Sequence, residues 1–241
     1  MLPDSDARYV GLDGCRAGWL AVYWDGIPTS SPLVRLLKAI GDLDLSGVSA
    51  CAIDIPIGFM DTVTEGGRQA EREARAFLKG KASSVFSAPC RKALDAKSFA
   101  EALALNKQNS QPRGIGLSQQ SAALIPKLKE VDAFITVEAQ ERIFESHPEV
   151  AFAIMNGDSA VLSKKRQKLG SSERIELLRR SGFPIDNLVA PEGAGKGWST
   201  DDLLDACACA WSAKRIAEGR AVTFPADPPL DARGLRMAIT A

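Results

Sequence analysis

The sequence predicts an α/β protein in which a mixed β-sheet is flanked by helices. Two observations lead to this fold class: short apolar runs cluster early in the chain, and longer segments of helical composition dominate after them. An apolar run of about four to eight residues bounded by turn residues is typical of a buried strand. Because most helices follow the strands, we expect a mixed sheet with a helical insertion at about residues 60–140.

Each predicted strand is an apolar run that ends at turn residues. Pro56 and Gly58, for example, stop the strand that precedes them. A weaker strand or helix is expected at 33–40, and residues 235–239 are expected to dock at an edge. The predicted strands lie at residues 8–13, 17–24, 50–55, 142–145 and 221–224.

The predicted helices begin at capping residues and end at glycines. Ser118, which follows Gly116, is a favourable N-cap, and Gly182 and Gly219 each end a helix. Helices are predicted at residues 68–78, 97–108, 118–130, 172–180 and 199–218, and another begins at Pro148.

Length and charge limit the classes of function. The 241 residues are enough for one sizeable core, and we expect a single domain over residues 1–241. With 30 basic and 30 acidic residues the net charge is zero, which argues against strong sequence-independent binding of long nucleic acid. The single histidine argues against a His-rich metal site.

The expected location is the cytoplasm. No apolar stretch is long enough to span a membrane, and residues 1–6 show no secretory signal. The five cysteines have no CxxC spacing, which favours free thiols in a reducing compartment. We therefore expect no membrane contact.

Two predicted strands carry a single aspartate, Asp13 at the end of the first and Asp54 in the strand at 50–55. A carboxylate in such a run must be paired, bound to metal or placed at the strand end. Alternation puts Asp13 on the face of Gly11 and Asp54 on the face of Ala52, and these small residues are expected to leave room for an ion or substrate. The alternative is that each aspartate only opens a turn.

The last predicted helix adds further carboxylates. Asp202 and Asp205 are three residues apart and share one face. Asp201 and Asp202 have an alternative role as partners of the helix dipole. Asp205 lies among apolar residues, where a solvated charge is not expected.

A fourth acidic position lies at the strand predicted at 142–145. Glu145 ends this strand in the manner of the two aspartates, and His147 and Glu149 follow at a helix start. The alternatives are a cap for His147 and a dipole partner for Glu149. Carboxylates gathered at strand ends and on one helix suit Mg²⁺ or Mn²⁺, which also bind substrate phosphates.

Two segments imitate phosphate or nucleic-acid motifs. Residues 193–197 resemble a phosphate loop, but Ala190 stands where a glycine is needed and Gly197 where Ser or Thr is needed, so we reject this motif. The basic run at 164–168 is more typical of a solvated surface than of a nucleic-acid contact.

Six motifs together resemble a domain-of-unknown-function family of predicted nucleases with an RNase H-like fold. The motifs are GLDGCRAGW at 11–19, IDIPIG at 53–58, SSVF at 83–86, GLSQQ at 116–120, ESHPE at 145–149 and DLLDA at 202–206. The resemblance implies an RNase H-like five-stranded sheet. It also implies acidic residues on the first strand, the fourth strand and a late helix, where Asp13, Asp54 and Asp205 or Asp202 stand.

The main functional hypothesis is a nuclease or phosphodiesterase dependent on Mg²⁺ or Mn²⁺. Its substrate is expected to be single-stranded or structured nucleic acid, or a nucleotide. The expected catalytic residues are Asp13, Asp54, Glu145, His147 and Asp205, the metal ligands Asp13, Asp54, Glu145, Asp202 and Asp205, and the substrate-binding residues Arg16, Arg91, Ser118 and Gln119.

Two other hypotheses remain open. One is a catalytically silent module on the same fold that binds a nucleotide or a protein. The other is a phosphotransferase of the actin and sugar-kinase kind, which needs two such domains and a Gly-rich phosphate hairpin after the first aspartate. The residues Gly14, Cys15 and Arg16 at that place do not form such a hairpin.

Overall fold

The computed structural model describes residues 8–189 and 197–241. In chain order its strands are β1 (Tyr9–Cys15), β2 (Gly18–Trp24), β3 (Leu33–Leu37), β4 (Ala50–Ile53), β5 (Val63–Thr64), β6 (Ser110–Gln111), β7 (Ile143–Glu145), β8 (Thr223–Phe224) and β9 (Ile239–Thr240). Its α-helices are α1 (Gln69–Phe77), α2 (Phe99–Gln108), α3 (Gln119–Ala123), α4 (Ile125–Phe134), α5 (Pro148–Met155), α6 (Lys168–Arg180) and α7 (Thr200–Ala217).

The central sheet has five strands in the order β3-β2-β1-β4-β7. Strands β1, β2 and β3 pair antiparallel, whereas β4 is parallel to β1 and β7 is parallel to β4. The predicted mixed five-stranded sheet flanked by helices is therefore confirmed. Near the carboxyl end of the chain, β8 pairs antiparallel with β9, close to the expected strand at 221–224 and edge segment at 235–239.

Side-chain alternation divides the core between the two faces of the sheet. Val10 and Leu12 of β1 belong to one apolar cluster with Leu128 and Val131 of α4. The other cluster joins the opposite face to α5, α6 and α7, whose buried residues include many alanines. The sheet is thus covered on both sides, as expected for strands that read as nearly continuous apolar runs.

Gly11 permits a close contact between β1 and α7. A Cβ atom at Gly11 would lie 2.1 Å from the carbonyl oxygen of Ala206 and 2.1 Å from the amide nitrogen of Ala210. Any side chain would therefore push the helix away from the sheet. The expectation that Gly11 leaves room for an ion is wrong, because the backbone of α7 fills the space above this residue.

The helical insertion lies between β4 and β7 and contains α1 to α4. The single helix predicted at 118–130 is instead two helices, which meet at Leu124. Pro126 stands in the first turn of α4, where the missing amide hydrogen costs no helical hydrogen bond. The proline therefore begins a helix here, which the apolar periodicity alone did not reveal.

Two regions discussed from the sequence fall largely outside the described residues. These are the amino-terminal residues 1–7 and the rejected phosphate-loop motif, of which Gly197 alone is described. Within 8–189 and 197–241, no helix combines the length and the apolar character needed to cross a membrane.

Candidate active site

The register of the parallel strands places three polar residues in a row. Leu12 of β1 lies opposite Ile53 of β4, which lies opposite Glu145 of β7. The next row therefore contains Asp13, Asp54 and Ser146. The amide of Asp54 donates to the Leu12 carbonyl at 2.9 Å, and the amide of Ser146 donates to the Ile53 carbonyl at 2.9 Å. By alternation this row faces α7.

Helix α7 brings a third carboxylate to the two aspartates. Asp205 lies one residue before Ala206, whose carbonyl faces Gly11, and its side chain is buried. Asp13, Asp54 and Asp205 line one cavity. The carboxyl groups of Asp13 and Asp54 are close enough to share a hydrogen bond. We call these three residues the aspartate cluster.

Burial and mutual repulsion raise all three pKa values of the cluster. The pKa of Asp13 is raised well above its usual value, first by burial and then by the charges of Asp54, Asp205 and Asp202. Burial raises the pKa of Asp54 to about 6, against the opposing effect of Lys165. Burial raises the pKa of Asp205 to about 7, with Lys165 again opposing. Near neutral pH the cluster therefore holds protons that ordinary carboxyl groups would release.

Lys165 provides the cation of this site. Its Nζ atom donates a short hydrogen bond to Asp205 Oδ2, and its charge acts on Asp54 and Asp13 as well. Burial disfavours the ammonium form, but the carboxylates outweigh this effect and raise the pKa of Lys165. The interpretation of 164–168 as a purely solvated run is thus wrong for Lys165, which turns inward to the cluster.

Asp54→Asn is expected to stabilise the protein at high pH. Because folding raises the pKa of Asp54 from 3.8 to about 6, the proton on this group stabilises the folded state below about pH 4, and that contribution is lost as the pH rises through 6. The asparagine variant lacks this loss, so its free energy of unfolding should exceed that of the wild type by about 3 kcal/mol at pH 8. Urea unfolding between pH 4 and 8 measures the difference.

Asp44→Asn is the control for this measurement. The pKa of the exposed Asp44 is lowered by a hydrogen bond from the Ser46 amide, so its loss should reduce stability at high pH. A lower stability of Asp54→Asn at pH 8 would contradict a destabilising buried charge at Asp54.

Glu145 lines the same cavity, but it lies outside the row of Asp13, Asp54 and Ser146, on the opposite face of β7. Arg68 donates to both of its carboxylate oxygens, at 2.8 and 2.6 Å, and the amide of Ile57 adds a bond at 2.7 Å. Arg68 also bonds Glu71 at 2.8 Å, and all three charged side chains are buried. The oxygens of Glu145 are thus already engaged, so this residue anchors the loop after β4 and is not free to join the aspartate cluster.

Asp202 serves first as a helix cap. Its Oδ2 atom accepts the Ser199 amide at 2.7 Å, in a capping box at the start of α7. Its charge still contributes to the raised pKa of Asp13. Asp201 accepts a hydrogen bond from Ser199 Oγ and pairs with Arg166 at 3.2 Å. Asp201 and Asp202 therefore act as acidic partners of the α7 helix dipole, the alternative role considered from the sequence.

His147 lines the same cavity as a neutral base. Its Nε2 atom lies 3.3 Å from the Ser84 carbonyl, which can only accept, so Nε2 carries the proton. Burial lowers the pKa of His147. The Nδ1 atom is buried without a hydrogen-bond partner among the described residues, and it remains available as an acceptor.

Glu149 is held in a second buried ion network. Its oxygens accept from Arg174 Nη2 at 2.8 and 2.9 Å, and Lys81 Nζ lies 3.2 Å away. Lys81 also donates to the carbonyls of Val161 and Ser163, at 2.6 and 3.0 Å. This network fastens the segment before α6 to the amino-terminal end of α5.

The aspartate cluster opens into a cavity of about 660 Å³. Both acidic and basic side chains line this cavity, and apolar side chains stand at its rim, where Phe86 and Leu162 are 39% and 69% exposed. The basic residues that line the cavity are Arg68, Lys81, Lys127, Lys164, Lys165 and Arg166. Glu71, Glu145 and Glu149 also line the cavity and pair with Arg68 and Lys81. The exposed Lys164 and Arg166 are therefore the cations best placed to meet an anionic substrate.

None of the four predicted substrate-binding residues lines the cavity. Arg91 pairs with Asp132 at 2.9 Å and with Asp231. Ser118 caps α3 through a bond from the Ser121 amide at 3.0 Å. Arg16 is exposed in the turn after β1. Gln119 lines a separate depression, whereas the next residue, Gln120, lines the cavity.

Sequence reasoning missed Ser146 and Lys165. The Oγ atom of Ser146 is buried and has no hydrogen-bond partner among the described residues, and Ser146 lines the cavity. The only signal for Ser146 was its position beside Glu145, and register alone decides which of the two joins the aspartates. The signal for Lys165 was the basic run at 164–168.

The comparisons with known proteins give a family and no named relative. Neither the curated proteins nor the solved structures contain a match to this chain. One family model, described as "Protein of unknown function (DUF429)", matches residues 11–230. This span includes the whole aspartate cluster and its surroundings. The chain therefore belongs to the DUF429 family.

Proposed function

We propose that this protein is a divalent-metal-dependent phosphodiesterase that acts on nucleic acid or a nucleotide, on an RNase H-like fold. One observation supports this proposal above all: Asp13, Asp54 and Asp205 come from three separate elements and line one cavity bordered by basic side chains. The strand order, with three antiparallel strands followed by two parallel ones, supports the fold assignment.

The aspartate cluster fits a hard divalent cation. Asp205 Oδ1 is buried and lacks a hydrogen-bond partner within the described part of the chain, and carboxylate oxygens are the preferred ligands of Mg²⁺ and Mn²⁺. The side chains are not yet in a ligating arrangement, because no group of three or more His, Cys, Asp or Glu among residues 8–189 and 197–241 could hold an ion as placed. Asp13, Asp54 and Asp205 are the residues that would hold the ion.

The bound ion would supply Lewis-acid stabilisation of charge on the phosphate. The other tasks belong to the chain itself. Lys164 and Arg166 at the rim attract the phosphate backbone, and the hydroxyl of Ser146 donates to a phosphoryl oxygen. His147 Nδ1 accepts a hydrogen bond from a substrate hydroxyl or from water. Phe86 offers a ring on which a base can stack.

The shape and charge of the site favour small or unpaired substrates. A zero net charge gives little attraction for a long duplex, and the cavity has room for a nucleotide-sized group. We therefore propose short single strands, structured RNA or nucleotides as substrates. The five cysteines are free and buried, which supports our proposal of a cytoplasmic location.

A second candidate is a catalytically silent module that binds a nucleotide. The observation in its favour is the ion pair between Lys165 and Asp205, which already neutralises part of the cluster. In such a module the basic rim would hold phosphates and no divalent ion would be required.

Hydrolysis assays with defined substrates separate the two candidates. We expect purified protein at low salt to cleave short single-stranded or structured substrates when Mg²⁺ or Mn²⁺ is present, and to stop when the ion is chelated. Long duplex DNA should be cleaved more slowly, because the chain lacks a surplus of positive charge. Cleavage that persists after chelation, or binding of nucleotides without turnover under any metal condition, would contradict the proposed activity. The second outcome would favour the silent module.

A further inference from the structure

We propose that Lys165 is the resident cation of the aspartate cluster, and that a divalent ion binds by displacing its ammonium group from Asp205. The inference rests on the proposed metal-dependent function and adds a step to it. In this arrangement, metal binding releases Lys165 into the cavity, where it becomes available to the substrate phosphate.

The contacts of the cavity lysines single out Lys165. Lys81 is engaged by Glu149 and two carbonyls, and Lys127 donates to the Gly18 carbonyl at 2.6 Å and lies 4.4 Å from the ring centre of Trp19. Lys165 instead donates to Asp205, and its charge acts on Asp54 and Asp13. Among the described lysines of the cavity, it is the one that contacts the cluster.

Hydrogen bonds hold the backbone around Lys165 in place, so its side chain is the part that moves. Ser171 Oγ donates to the Lys165 carbonyl at 2.8 Å, and the Gln167 amide donates to the Lys164 carbonyl at 2.9 Å. A Cβ atom at Gly170 would lie 2.2 Å from the Lys164 carbonyl, so this segment sits directly against α6. The Lys165 side chain is 38% exposed, which gives it a route away from the cluster by rotation about its own bonds.

Electrostatic repulsion keeps Lys165 and a divalent ion from binding Asp205 at the same time. An ammonium group and a divalent ion on the same buried carboxylate repel each other strongly, because the surroundings screen charge poorly. Within the described part of the chain, Asp205 Oδ1 has no hydrogen-bond partner, whereas Oδ2 accepts from Lys165 Nζ. Oδ1 would therefore be open to a divalent ion, and Oδ2 would become open when the Lys165 ammonium leaves it. The released ammonium can then form a charge-assisted bond with a phosphate.

Titration with Mn²⁺ alone tests this inference without a substrate. Calorimetry is run at about pH 8.5, where few protons compete for the carboxylates. Lys165→Met and Lys165→Gln should bind Mn²⁺ about 5- to 150-fold more tightly than the wild type, the usual range for linked binding equilibria. Lys165→Arg keeps the charge and should stay within about threefold of the wild type. Lys164→Met removes an exposed charge from the same cavity and should also stay within about threefold.

Thermal unfolding supplies an independent readout. In metal-free buffer, Lys165→Met should unfold at a lower temperature than the wild type, because it leaves Asp205 without its cation. Saturating Mn²⁺ should raise the midpoint of the variant more than that of the wild type. Lys165→Gln serves in both measurements if the methionine variant does not fold.

The outcomes distinguish this inference from the proposed function. If the wild type binds Mn²⁺ and neither neutral variant binds it more tightly, displacement of Lys165 is wrong while the metal-dependent function stands. An equal gain from Lys164→Met would also overturn displacement, since it would indicate a general charge effect. If no protein in the series binds Mn²⁺, the metal-dependent function itself is wrong, and the inference with it.

Discussion

Asp13→Asn is expected to abolish metal-dependent hydrolysis while leaving the fold intact. Asparagine keeps the shape of the side chain but removes the charge that a divalent ion requires. Outer-sphere partners of metal ligands typically contribute about 10- to 100-fold in affinity or activity, so the loss of a direct ligand should lower kcat/KM by more than about 100-fold. Initial rates at saturating Mn²⁺, with the substrate that the wild type cleaves best, measure the effect.

Asp202→Asn is the matched control for this loss. Asp202 also acts electrostatically on Asp13, but its carboxylate caps α7. We expect this variant to keep most of the activity and to lose about 1 kcal/mol of stability at the helix end. Circular dichroism should show an unchanged fold for Asp13→Asn. An Asp13→Asn protein that cleaves as fast as the wild type would remove the aspartate cluster from the mechanism.

Of the substitutions proposed for this protein, Arg68→Met is expected to lower the free energy of unfolding most. The guanidinium of Arg68 is buried, and it holds both Glu145 and Glu71. Breaking a buried pair from one side leaves an uncompensated charge and typically costs about 3–5 kcal/mol. The free energy of unfolding in urea at pH 7 should fall by about that amount.

A double variant shows whether Arg68 acts through Glu145. Arg68→Met combined with Glu145→Gln should be more stable than Arg68→Met alone, because one buried charge is gone. Lys79→Met, at an exposed position just after α1, should change stability by no more than about 0.5 kcal/mol. Glu145→Gln alone should leave Mn²⁺ affinity unchanged. A large loss of that affinity would mean that Glu145 is a metal ligand after all.

Local patterns predicted much of the fold. Strands β1, β2 and β4, and the long helix α7, lie close to their predicted ranges, because alternation, turn residues and caps act within a few residues of the chain. The aspartates at 13, 54 and 205 were selected for a similar reason. A carboxylate within an apolar segment conflicts with burial, and this conflict is visible without knowledge of the fold.

Register and long-range pairing lay beyond the sequence. Glu145 and Ser146 both stand at the end of β7, and a shift of one residue exchanges the faces to which they point. The hydrogen bond from the Ser146 amide to the Ile53 carbonyl sets this register. Likewise, Lys165 and Asp205 are 40 residues apart, and nothing in a basic run indicates which of its members will turn inward.

The contact at Gly11 sets how close α7 lies to β1. Because α7 touches the backbone of β1 there, the spacing between Asp13 and Asp205 is determined by main-chain atoms. The surfaces that would meet a substrate come from elsewhere, from the segments that carry Phe86 and Lys164. The Lys164 segment is tied to Asp205 through Lys165, so the segment that carries Phe86 is the freer of the two to change in length or composition without moving the acids. Under the proposed function, substrate selectivity would then depend on the rim, while the aspartate cluster stays in place.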